Sequence, residues 1–344
     1  MLSCQFNLLA RPTENDQHMI MPSGGRRRVN PSKPTGRDRH ARLLGMALLL
    51  AMTVALSACA TTHRQARRGA DSVAGDGAAW TSGAVPAQVG GPVLSGFVAF
   101  GDFGGGRAQY AVAGAIARWV AAGHRVDALV TTGDNVYDNG DPRRFRAQLD
   151  EPYRELRRTR PLWVTLGNHD VKGGHGPEQL GYLGLPPLPY AKRLHGVELL
   201  FLDANQPDQR QGTWLDRQLG APGPAFRVIV FHQPAYSCGA EHGSTRAVIR
   251  RWVPILERHR VALVLNGHEH DYQRFTSAAG VTYVVTGGGG KRLYPILRSC
   301  SGVPTRQAWA VRHHFVAVEV RRRSLSLTAV AENGSVLDRV VLTR

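Results

Sequence analysis

Five short blocks in this chain carry side chains of the kind that bind metal ions. They are Gly-Asp102-Phe-Gly104, Gly-Asp134-Asn-Val-Tyr137, Gly-Asn168-His169-Asp170, Phe-His232-Gln-Pro and Gly-His268-Glu-His270. Carboxylate, amide, phenol and imidazole donors without a thiolate suit hard or borderline cations such as iron, zinc or manganese. Two such ions held close together clamp an in-line displacement at phosphorus. Taken singly, each residue has a blander reading. An Asp after a strand is commonly a turn or cap residue, and a buried His is commonly a satisfied core group. An ordered series of seven donors points past those readings, to a dinuclear phosphoesterase.

Each block follows an apolar run that reads as a buried strand: 97–100, 128–132, 162–166, 227–231 and 261–265. Loops at strand ends are where α/β folds gather such side chains into one cleft. Helical spacing marks 109–122, closing at Gly123, a charged stretch from Pro142 to about Leu156, a short helix at 213–219 and another at 245–258. Residues 172–190, rich in Gly and Pro, read as a loop, and 198–203 and 281–285 as strands, the latter followed by Gly287 to Gly290. Alternation at 315–320, 324–330 and 336–342 predicts a closing hairpin. His268 and His270, two apart in extended backbone, are expected to point to the same side.

The blocks and their order, over roughly residues 97 to 290, resemble the calcineurin-like metallophosphoesterase superfamily, and within it the purple, tartrate-resistant type of acid phosphatase. The resemblance implies an α/β, four-layer fold with two facing mixed β-sheets flanked by helices. It implies that Asp102, Asp134, Tyr137 and His270 hold a ferric ion. Asp134 bridges to a divalent iron, zinc or manganese held by Asn168, His232 and His268. Most of that superfamily opens with Asp-x-His, whereas Gly104 here has no side chain to offer. Tyr137, three residues after Asp134, is similar to the tyrosinate that replaces the lost ligand. A phenol with an ordinary pKa of about 10 ionises at neutral pH only beside a strong Lewis acid, which favours a trivalent ion.

Phe-His232-Gln-Pro-Ala-Tyr-Ser-Cys-Gly-Ala-Glu241-His242-Gly resembles the small mammalian type, in which a Glu-His pair reaches the substrate. The resemblance implies an acid phosphomonoesterase in which a metal-bound hydroxide attacks phosphorus in line. His169 then hydrogen-bonds the phosphoryl or nucleophile oxygens with Asp170 fixing its tautomer, and Glu241 and His242 protonate the leaving alkoxide. A phosphodiesterase or nuclease on the same scaffold, and a non-catalytic phosphate-binding lipoprotein, stay open as alternatives. His195, His259, His313 and His314 lack such context and are expected to be structural.

The chain has 344 residues, 42% of them hydrophobic, enough for one sizeable core. Its organisation is read as a disordered basic extension at 1–42, a signal peptide at 43–59, a flexible linker at 60–93 and a catalytic domain at 94–344. The apolar run 43–58 lies behind Arg37, Arg39 and Arg42 and is too short for a spanning helix. Its ending, Leu56-Ser57-Ala58-Cys59, resembles the lipobox of bacterial lipoproteins. That predicts acylation of Cys59, a lipid anchor to the membrane and a place in the bacterial cell envelope facing the periplasm. The forty residues before the basic cluster suggest a translation start assigned too early. In an oxidising compartment Cys238 and Cys300 are candidates for a disulfide. The formal net charge of +17 favours a small phosphorylated substrate. The arginines are scattered, with no basic stripe interleaved with aromatics, so a nucleic-acid partner is not expected; a monomer is the expected state.

Overall fold

The computed structural model describes residues 91–343. The extension 1–42, the signal peptide with Cys59 and most of the proposed linker lie outside the described residues. In chain order the elements are β1 (Ser95–Phe100), α1 (Arg107–Ala121), β2 (Ala128–Thr131), an irregular helical stretch from Pro142 that ends in α2 (Arg154–Arg157), β3 (Leu162–Val164), α3 (Asn168–Lys172) and α4 (Gly176–Tyr182). There follow β4 (Tyr190–Leu194), β5 (Val197–Phe201), α5 (Gln209–Gly220), β6 (Phe226–Val230), α6 (Arg246–Arg251), α7 (Val253–Arg258), β7 (Leu263–Asn266), β8 (Tyr272–Thr276) and β9 (Thr282–Thr286). The chain closes with β10 (Thr305–Ala310), β11 (His314–Val320), β12 (Ser324–Ala331) and β13 (Val336–Thr343).

Two sheets form, in the orders β13-β12-β11-β1-β2-β3 and β10-β8-β9-β7-β6-β5-β4. Both are mixed: β1, β2 and β3 run parallel, as do β5, β6, β7 and β9, and the remaining pairings are antiparallel. Period-two alternation explains the layering. Phe97 and Ala99 of β1 share a buried cluster with Val228 and Val230 of β6, so the sheets face each other. Val98 and Phe100 turn the other way, against Val112 and Ile116 of α1. Ile229 turns outward onto Leu215 of α5 and Trp252. The result is the helix–sheet–sheet–helix arrangement expected.

Proline accounts for three departures from the sequence reading. The charged helix from Pro142 is broken into 3₁₀ turns at Pro142–Arg144 and Glu151–Tyr153 around a π-helical turn at Arg146–Asp150. Pro152 has no N–H for the Gln148 carbonyl, which instead accepts from Gln109 Nε2 at 2.8 Å. The single helix expected at 245–258 is two, broken at Trp252 just before Pro254. Within the expected loop 172–190, α4 forms because Pro177 sits in its first turn, where the missing N–H costs nothing.

Candidate metal centre

The ligand blocks leave the carboxyl ends of parallel strands in both sheets: β1, β2 and β3 on one side, β6 and β7 on the other. Asp102, Asp134 and His268 adopt left-handed backbone, with φ of 58°, 50° and 72°. Such a conformation costs on the order of 1–3 kcal/mol per non-glycine residue and persists only where surrounding contacts impose it. The contacts are here: Asp102 N donates to the Gly133 carbonyl at 3.0 Å, His169 N to Asp134 Oδ1 at 2.9 Å, and His268 N to both Asp102 oxygens at 3.0 and 3.1 Å. The backbone at His268 corrects one expectation. The two histidines are not carried on an extended strand; they leave a turn between β7 and β8 and diverge to different partners.

Asp134 is the centre of the site. Its Oδ2 accepts the Tyr137 hydroxyl at 3.0 Å and lies 3.4 Å from His232 Nε2. On one side the Tyr137 oxygen is 3.3 Å from His270 Nε2, which is 3.5 Å from Asp102 Oδ1. On the other, His232 Nε2 is 3.1 Å from Asn168 Oδ1 and 3.2 Å from His268 Nδ1. The seven donors thus form two clusters joined at Asp134. Metal–donor bonds of about 2.1 Å put neighbouring donors roughly 3.0–3.4 Å apart in octahedral or tetrahedral shells, close to these separations.

Backbone carbonyls set which imidazole nitrogen faces inward. His232 Nδ1 is 2.8 Å from the Thr132 carbonyl and His270 Nδ1 is 2.7 Å from that of Arg292, so each ring turns Nε2 to the cluster. The electrostatics also fit cations. Asp102 and Asp134 are buried with no Lys or Arg ion pair among the described residues. Burial drives Asp102 above the usual carboxylate range, while burial and the neighbouring His232 hold His268 far below the usual imidazole range. Asp134 stays well below 3.8, since His232 and His169 outweigh its burial. Protons alone therefore leave these groups in conflict, and positive ions among them resolve it.

The exchange of ligands between positions 104 and 137 has a steric side. Gly104 has φ 44°, and a Cβ placed on it would collide with the Tyr137 ring. A side chain at 104 and the tyrosine ring compete for one space. Burial, then the Asp102 and Asp134 charges, pushes the Tyr137 phenol well above 10, so only a strong positive charge could ionise it.

Asp170 does not touch His169 as expected. The His169 Nδ1 is 2.7 Å from the Asp138 carbonyl, and that contact sets the tautomer. Asp170 instead accepts from the Asn135, Val136 and Gly167 amides and from the Asn135 and Gln179 side chains, docking the Asp134 loop onto the start of α3. His242 lies at the exposed mouth with its ring stacked on His268, centroids 4.0 Å apart; Glu241 beside it is exposed. Cys238 and Cys300 are joined in a disulfide, with Cα atoms 5.6 Å apart. His314 is buried and far in sequence from the blocks, hydrogen-bonded to Thr286 and the Arg312 carbonyl.

The family model for calcineurin-like phosphoesterases matches residues 96–272, just over half of the chain. The chain belongs to the calcineurin-like phosphoesterase family. It is therefore a hydrolase of phosphoric esters, and the span contains all seven donors. Tartrate-resistant acid phosphatase type 5 of Homo sapiens is 28% identical to this phosphoesterase over 303 residues, covering 72% of this chain and 90% of the human one. Purple acid phosphatase 4 of Arabidopsis thaliana is 23% identical over 246 residues, covering 62% and 72%. Among solved structures, the yellow lupin purple acid phosphatase PPD1 superposes with a TM-score of 0.65 at 15% identity, over 73% of this chain and 54% of that one. GAP50, an inner-membrane-complex anchor of Plasmodium, gives 0.64 at 19% identity, over 73% and 89%. These two likenesses concern the fold alone.

Three residues at the mouth of this phosphoesterase escaped the sequence reading. Tyr294 stacks on His270 at 3.9 Å, Lys291 Nζ lies 4.1 Å from the Tyr137 ring centroid, and Glu269 is buried behind His242. Lys291 and Tyr294 follow the Gly287 to Gly290 run, whose first glycine packs against Asp102. That run was the available signal. Glu269 stood in plain view between two ligands.

Proposed function

We propose that this phosphoesterase is an acid phosphomonoesterase of the purple acid phosphatase type. In this reading Asp102, Asp134, Tyr137 and His270 hold ferric iron, and Asn168, His232 and His268, sharing Asp134, hold a divalent iron, zinc or manganese. The observation that carries it is the Tyr137 hydroxyl set 3.0 Å from Asp134 and 3.3 Å from His270, with glycine at 104 making room for the ring. When bound, the two cations supply the Lewis acidity that activates water and neutralises phosphoryl charge.

The chain's own side chains do the rest. His169, with Nδ1 engaged by the Asp138 carbonyl, directs Nε2 toward the cluster, 4.0 Å from Asp134 Oδ2. When protonated it donates a hydrogen bond to a phosphoryl oxygen there. His242 lies at the mouth, stacked on His268 and edge-on to Tyr294, where its ring can hand a proton to the departing alkoxide. Glu241 stays beside it, exposed, as a second candidate for that transfer. The same reading takes the chain as a monomeric lipoprotein acylated at Cys59 and held in a bacterial envelope facing the periplasm, supported by the run 43–58 and its Leu-Ser-Ala-Cys ending.

The test compares hydrolysis of an aryl phosphate monoester, the matching diester and single-stranded DNA by the metal-replete protein across acid and neutral pH. The monoester should be preferred, most strongly below neutrality. A preference for the diester or DNA would assign a phosphodiesterase instead, and inactivity on all three would favour a phosphate-binding role.

A further inference from the structure

The loop 237–243 carries the candidate proton donor, and almost every backbone N–H in it has an identifiable partner. Cys238 N donates to Gln273 Oε1 at 2.8 Å, Gly239 N to Ser237 Oγ at 2.8 Å and Ala240 N to the Pro295 carbonyl at 3.0 Å. The last two, His242 N and Gly243 N, both donate to Glu269 Oε1, at 2.8 and 2.5 Å. Glu269 is wholly buried, and its other oxygen has no hydrogen-bond partner among the described residues. Leaving a buried carboxylate oxygen unpaired costs stability, so packing alone does not explain an acid at this position. Gly239 closes over it: a Cβ there would strike the Glu269 carboxylate.

Resting on the phosphatase reading, we propose that Glu269 is a positioning residue for proton delivery: its carboxylate tethers the 242–243 backbone and thereby holds the His242 ring over His268. Glu269 lies between two ligands in the chain, yet its Oε1 is engaged by the 242–243 amides of the loop 237–243. The block Gly-His268-Glu-His270 thus places the cations and the leaving-group acid with one short segment.

The experiment measures kcat of the full-length, metal-replete chain on an alkyl and an aryl phosphate monoester. Alkoxide departure depends on proton donation and p-nitrophenolate departure scarcely does. In Glu269→Ala the alkyl-to-aryl rate ratio should fall on the order of 10²-fold, the lower end of what a positioned proton donor contributes, as in His242→Ala. In the His242→Ala background the same substitution should shift the ratio no further, because the residue it positions is gone. Glu269→Asp, which keeps the charge but draws the acceptor back from the two amides, should show the same signature in smaller degree; it serves if the Ala variant does not fold. Hydrogen exchange in segment 237–245 should rise in both variants while β7 stays protected, a readout that needs neither substrate nor metal. An equal loss on both esters, a ratio that falls again without His242, or unchanged exchange overturns the proposal. Inactivity of the wild-type chain on both esters would sink the phosphatase reading instead, and exchange alone would then decide the tether.

Discussion

Asp170→Asn preserves the shape of the side chain and replaces one acceptor oxygen with an amide that can only donate. In the native chain Oδ1 accepts from Asn135 N at 2.9 Å, Val136 N at 2.8 Å and Gln179 Nε2 at 2.9 Å. Oδ2 accepts from Asn135 N at 3.1 Å, Asn135 Nδ2 at 3.0 Å and Gly167 N at 2.8 Å. If the new NH₂ takes the Oδ1 position, Val136 N and Gln179 Nε2 lose their acceptor; if it takes the other, Gly167 N does, while Asn135 Nδ2 keeps the Thr165 carbonyl and Gln179 Oε1. The first orientation orphans two buried donors and the second orphans one, at about 1–3 kcal/mol each, or roughly 1–6 kcal/mol in all. For a domain of this size that corresponds to a fall in Tm of roughly 2–24 °C. Calorimetry on wild type and variant would read it. Metal content should fall in parallel, because the two loops that separate carry Asp134 and Asn168. The alternative, that Asp170 sets the His169 tautomer, predicts slow turnover with an unchanged Tm. A variant that melts with the wild type would refute the docking role.

Other perturbations follow from single contacts. Gly104→Ala drives a Cβ into the Tyr137 ring and should reduce metal content and visible absorption together; a fully metallated variant would contradict the steric account. His314 is buried with its pKa pushed down to about 4 by burial, against 6.5 when exposed. Its unfolded form therefore binds the proton first, and stability should fall as pH drops from about 6.5 to about 4, by roughly 3 kcal/mol. Denaturation midpoints across that window should lose part of this slope in His314→Gln, and an unaltered slope would place the acid sensitivity elsewhere. Reducing the Cys238–Cys300 disulfide, which spans 62 residues, should lower stability by roughly 2–4 kcal/mol, and a midpoint unaffected by reductant would contradict that.

The strands that bear ligands were legible because each is an apolar run ended by a donor, behind Gly in four of the five blocks and behind Phe231 at His232, a pattern that needs no knowledge of the partner strand. The edge strand β4, where exposed Ala191 and Arg193 alternate with half-buried Lys192 and Leu194, and β10 at the opposite edge carried no such contrast. α4 was hidden by its glycines and proline, although Pro177 in a first turn is compatible with a helix start. The donor set was readable from residue types and order, but the direction of each side chain was not. Whether Asp170 meets His169 or the amides of the Asp134 loop is decided by tertiary docking. Likewise nothing local announces left-handed backbone at His268; it arises because Asp102 accepts the His268 amide from 166 residues away.

The account rests on Tyr137 completing a trivalent site beside a divalent one. The direct measurement is metal stoichiometry together with the visible spectrum of the native protein and of Tyr137→Phe. Two metal ions per chain, one of them iron, with a visible band that vanishes in the variant while the fold persists, is the predicted result. A native protein without iron, or a band that survives loss of the phenol, would contradict it.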